Sequence, residues 1–106
     1  NYKLIDDNNS ERILDEWRDE FRRALDRVQQ PNGEFWRDLA DLREQASEAR
    51  DRRDRERAIG RMIRKLREIR SVYARYDSYL DPGGQARASI DFQIEQLRNG
   101  IIDSRN

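Results

Sequence analysis

The sequence predicts an all-α protein, on three observations. Apolar residues recur in steps of three and four along most of the chain. Charged residues fill 42% of the 106 positions, well above the roughly 25% of ordinary globular chains. Strong breakers occur at two places, Pro31-Asn32-Gly33 and Asp81-Pro82-Gly83-Gly84. Steps of three and four keep apolar side chains on one helix face, and a heavy charge load suits helices whose remaining surface meets water. The predicted architecture is a single helical domain over 1–106. It has three helices in two antiparallel hairpins that share one long central helix, and oligomerisation completes them as helical bundles.

Helix 1 is expected over about 10–30. Asn8, Asn9 and Ser10 offer a cap, and Glu11 suits the positive end of the helix dipole. Leu14, Trp17, Phe21, Ala24 and Val28 form a coiled-coil-like seam, widened by Ile13 and Leu25. Pro31 and Asn32-Gly33 end the helix. A connection that short predicts that helices 1 and 2 lie side by side, antiparallel.

Helix 2 is expected over about 34–80. Its first seam is Phe35, Leu39, Leu42, Ala46 and Ala49, with Trp36 beside it. Its second is Ile59, Met62, Leu66, Ile69, Tyr73, Tyr76 and Leu80. Between them lies Arg50-Asp51-Arg52-Arg53-Asp54-Arg55-Glu56-Arg57, without an apolar side chain. Opposite charges at helical spacing (Glu48 with Arg52, Arg50 with Asp54, Asp51 with Arg55, Arg52 with Glu56) favour a continuous helix with a bare middle. At 1.5 Å per residue such a helix would be about 70 Å long. Ala49 to Ile59 is one residue short of an unbroken seam, and Gly60 is a weak point. Both leave room for the rival, a bend at 50–60 that closes a bundle within one chain.

Helix 3 is expected over about 84–99. Ile90, Ile94, Leu97 and Ile101 keep helical spacing, although Ala86 to Ile94 also alternates like a strand. The one segment suited to pair with such a strand is Tyr2 to Ile5. As a helix, this segment points Phe92 away from its apolar stripe, so Phe92 needs another partner.

Composition narrows the function. Net charge is zero, so no global field attracts nucleic acid or an anionic membrane. Residues 1–48 nevertheless carry net −5, residues 49–80 net +6 and residues 81–106 net −1. Cys and His are absent, which removes disulfides, thiolate chemistry, the commonest general base and the commonest zinc ligand. Adjacent acids such as Asp15-Glu16 and Asp19-Glu20 read as solvated helix faces, and Gly83-Gly84 lacks the context of a phosphate loop. No catalytic, cofactor or metal residue is expected, nor a membrane partner. A cytoplasmic setting fits the missing cysteines. The chain does not begin with Met, which fits a trimmed or partial chain.

The expected function is a non-catalytic protein–protein interaction or scaffold module acting as a homo-oligomer. Two-helix hairpins bury too little, so an interface is expected at Trp17, Phe21, Phe35 and Trp36 at one end. At the other it is expected at Leu66, Ile69, Tyr73, Tyr76 and Phe92, with Ile102 beside them. The alternative is a helical nucleic-acid-binding subunit using the Arg-rich tract 50–70. Arg50, Arg52, Arg53, Arg57, Arg61 and Arg64 would then contact phosphate, or else an acidic protein such as the net −5 half of another copy.

Overall fold

In the computed structural model residues 7–105 are described, with side chains from Ser10 to Ile101; the segment Tyr2 to Ile5 and the side chain of Ile102 lie outside that range. Among the described residues the all-α expectation holds, with five helices in place of three. They are α1 (Asp7–Val28), α2 (Glu34–Glu48), α3 (Arg52–Arg75), α4 (Asp77–Leu80) and α5 (Gln85–Arg105). Asn8 to Ser10, expected before the helix, lie inside α1.

The long helix expected over 34–80 is broken at its bare middle. Ala49 turns extended (ψ 130°), and the Asp51 carboxylate accepts the Asp54 backbone N–H at 2.8 Å, which caps α3. Here α2 and α3 fold back on each other as an antiparallel hairpin. Two effects decide this. The missing residue between the seams would turn them about 100° apart on one straight helix, whereas reversal lets both face the same core. The expected i,i+4 pairs offered only about 0.2–0.5 kcal/mol each, less than the roughly 1.5–3 kcal/mol from burying one Leu such as Leu39. Of those pairs, Arg52–Glu56 forms at 3.9 Å, Asp51 serves as the cap, and Asp54 turns to Arg57 at 3.8 Å. A second break at Tyr76 (φ −115°, ψ 37°) separates α3 from the single turn of α4.

The first breaker, by contrast, does not reverse the chain. Backbone hydrogen bonds run Gln29 N–H to Leu25 O, Gly33 N–H to Gln29 O and Arg37 N–H to Gly33 O, so the helical course continues around Pro31. The Asp38 carboxylate meets the Lys65 ammonium at 3.5 Å, which sets α2 antiparallel to α3. The end of α1 lies at Tyr73, and Trp17 and Phe21, earlier in α1, lie against Tyr76 and Tyr79. Thus α1 also runs antiparallel to α3 and α4, and follows α2 end to end. Asp7 to Glu48 at 1.5 Å per residue is about 63 Å, close to the longest dimension of the molecule, 66 Å against 22 and 20 Å. The antiparallel pairing of helix 1 with helix 2 is therefore corrected. Gly33 permits the joint, because a Cβ there would lie 2.6 Å from the carbonyl oxygens of Arg27 and Gln29.

The core is built within one chain. Leu39 of α2, Met62, Ile63, Leu66 and Ile69 of α3, and Ile90 and Ile94 of α5 are buried together, with Val28 closing one end. This three-helix bundle is the outcome that the bend between the seams permitted. Asp91 of α5 receives both Nε and Nη2 of Arg70, at 2.6 and 3.2 Å. The segment 86–94 is helical, and α5 runs to Arg105, past the expected end at 99, since Gly100 stays within the helix. Gly84 has φ +73°, the left-handed conformation that glycine adopts without strain, between α4 and α5.

Candidate functional site

Two surface features stand out once the core is accounted for, an uncovered helix and an arginine-lined groove. The first is the seam of α1. Val28 at its end is buried and its carbonyl oxygen, which no helical N–H reaches, accepts from Trp36 Nε1 at 2.7 Å and Tyr73 OH at 3.3 Å. One turn and more back, Phe21 is half-buried. Its ring stacks on Trp17 (centroids 5.3 Å, 3° between planes), and Tyr76 and Tyr79 meet the two rings edge-on. Arg75 ties this end to α1 through Glu20 at 3.2 Å. Beyond it the seam loses its cover. Trp17 is 38% exposed, and Ile13 and Leu14 are each 55% exposed. Every residue from Glu11 to Glu20 is exposed.

The second feature lies on the opposite part of the bundle. Gly60, Ile63, Arg64 and Arg67 share one face of α3, and Arg98 and Ile101 of α5 complete a groove of about 420 Å³. Gly60, Ile63 and Ile101 make its floor, and the three arginines its rim. Arg53, Arg61, Arg64, Arg67 and Arg98 make no ion pair among the described residues. Helix α3 thus holds an excess of positive charge that its own chain does not neutralise.

The residues expected at an oligomer interface divide sharply. Leu66, Ile69 and Tyr76 are buried inside the chain, and Phe35, Trp36 and Tyr73 are partly buried against its core. Trp17 and Phe21 sit in the aromatic cluster. Phe92 is 65% exposed, beside a small cleft that includes Arg43, Met62 and Leu97. Among the expected phosphate contacts, Arg50 lies in the α2–α3 turn, Arg52 and Arg57 have acidic neighbours, and Arg53, Arg61 and Arg64 are exposed on α3. The sequence reading missed Arg98 and the floor of Gly60, Ile63 and Ile101. The spacing of 60, 63, 64 and 67 marked the α3 half of the groove, but nothing local tied it to α5.

The groups with shifted acidity hold the bundle together. Burial works to raise the Asp81 carboxyl pKa, but N–H donors from Ala86 and Arg87 and the Arg87 guanidinium at 2.9 Å outweigh it and hold it below its ordinary value. For Lys65, desolvation opposes charge, while Glu68 and Asp38 outweigh it and raise the ammonium pKa. The ammonium also lies 4.6 Å from the Phe35 ring centre, pinning α2 to α3. Burial, helped by the charge of Asp81, raises the Tyr73 phenol. None of these groups lies on the two surface features. No helix among the described residues is long and apolar enough to cross a membrane, and they include no acidic cluster arranged for a metal ion. No family model, curated protein or solved structure matches the chain.

Proposed function

We propose that this chain is a non-catalytic helical interaction module that works by self-association, with the uncovered end of α1 as its contact. One observation carries the reading: Ile13, Leu14 and Trp17 form a continuous apolar face on a helix whose last turns alone are held by the bundle. A helical end of this length gains little stability by itself in water, and packing of its apolar face supplies most of it. Contiguous apolar surface on a soluble protein marks a contact site more often than chance.

Light scattering after size exclusion tests it. The wild-type mass should rise with concentration. Ile13→Asp combined with Leu14→Asp should give a monomer with unchanged bundle stability, because both side chains are outside the core. A monomeric wild type at every concentration would contradict the proposal. Leu66→Asp, by contrast, would place a charge at a position 1% exposed and unfold the bundle itself, so it reports on folding and not on assembly.

A second reading, nucleic-acid binding, draws on the row of arginines without ion pairs on α3. It requires affinity for duplex DNA or RNA that falls steeply with salt, with a log–log slope of about −0.9 per phosphate contacted on DNA. The self-association reading predicts weak binding that disappears near physiological salt.

A further inference from the structure

We infer that the arginine groove between α3 and α5 receives the acidic, apolar end of α1 from a second copy of this chain. This rests on the self-association reading and names the surface that answers the seam. The two surfaces match in apolar character and complement each other in charge. The occupant offers Ile13, Leu14 and Trp17 on one face, with Glu11 on one side of that face and Glu16 on the other. Neither Glu11 nor Glu16 makes an ion pair among the described residues, whereas Asp15 is engaged with Arg18 at 3.7 Å and Glu20 with Arg75. The receiving groove repeats this pattern with opposite sign. Its floor is Gly60, Ile63 and Ile101, and its rim is Arg64 and Arg67 on one side and Arg98 on the other.

Gly60 suits the floor of such a groove. A Cβ built there meets no atom within 4 Å, so the missing side chain is not required by the chain's own packing. It costs helix stability relative to Ala, and what it provides is room for another backbone to approach closely.

A chain cannot satisfy its own groove. Trp17 lies at Tyr79, and Ile63 is about 24 Å back along the helix axis from Tyr79 at 1.5 Å per residue. Ile13 and Leu14 lie a further turn beyond Trp17, in the opposite direction. The contact therefore joins different surfaces of two copies, head to tail. Such heterologous contacts extend to longer assemblies unless their rotation closes a ring.

Charge reversal tests this with the full chain in sedimentation velocity. One variant carries Arg64→Glu and Arg67→Glu, the other Glu11→Arg and Glu16→Arg; all four side chains are exposed. Each alone places like charges across the contact and should weaken association about ten-fold or more. An equimolar mixture pairs the basic helix with the acidic groove, and the acidic helix with the basic groove, so association should return. Gly60→Leu fills the floor without altering charge and improves helix propensity. It should weaken association while Tm holds or rises, which separates a blocked groove from a damaged fold. A discrete dimer indifferent to all three variants would overturn the groove assignment and leave self-association standing. A monomeric wild type would overturn both. Self-association unchanged by Arg64→Glu and Arg67→Glu, together with loss of salt-steep RNA or DNA binding, would assign the groove to nucleic acid and overturn the inference.

Discussion

Asp81 is the residue on which the second half of the chain turns. It is 3% exposed, and its two carboxylate oxygens accept from Ala86 N–H, Arg87 N–H and Arg87 Nε at 2.9–3.1 Å. It thereby satisfies N–H groups at the start of α5 that no helical carbonyl reaches. Its folded pKa is depressed, so its contribution is complete above the unfolded carboxyl value of about 3.9. That contribution is lost as pH falls through the lower folded value. Asp81→Asn should therefore lower Tm clearly near pH 7, and the gap between variant and wild type should narrow as pH falls below about 4. Thermal melts of both proteins across that range check it; a gap independent of pH would mean that the carboxylate charge contributes nothing. Asp81 was visible in the sequence as part of a breaker, but not as a cap, because its donors lie five and six residues onward on another helix.

At the scale of elements, the decisive feature is the α2–α3 reversal. Asp51→Ala removes the carboxylate that accepts Asp54 N–H and should cost about 1 kcal/mol, a Tm decrease of about 5 °C for a domain of this size. Denaturant melts check this, and no loss would show that the reversal is held by packing alone. The helical periods, the breakers and the outward position of Phe92 were legible in the sequence, since each depends on local spacing. The sense of the two turns was not. Pro31 and Gly33 carry strong turn chemistry, yet the chain there keeps its direction, because Gly33 lets α2 begin against the carbonyl oxygens that end α1. At 50–57 the charges suggested continuity, but Asp51 is a preferred capping residue immediately before α3, and the seams slip by one position. Those two signs together pointed to the break. Half of the groove was written in α3; its other half, Arg98 and Ile101, depends on how α5 docks, which local spacing does not encode.

The whole molecule is long and thin for its size. Its radius of gyration is 18.7 Å, against about 13 Å for a compact chain of 100 residues. The excess comes from α1, which extends the line of α2 past the bundle and is anchored mainly by Trp17, Phe21, Tyr76 and Tyr79. A three-helix core closes by itself and leaves one helix partly outside, so the face proposed for assembly on α1 is separate from the surface that folding buries. Amide hydrogen exchange across a roughly hundred-fold range of protein concentration tests that separation most directly, since a core that folds without assembly is protected even when dilute, whereas a segment ordered by assembly is protected only when concentrated. Residues 10–20 should exchange fast when dilute and slow markedly as concentration rises, while Leu39, Leu66 and Ile69 in the core should already be strongly protected when dilute. A core left unprotected when dilute, or an α1 whose exchange is the same at every concentration, would contradict the account.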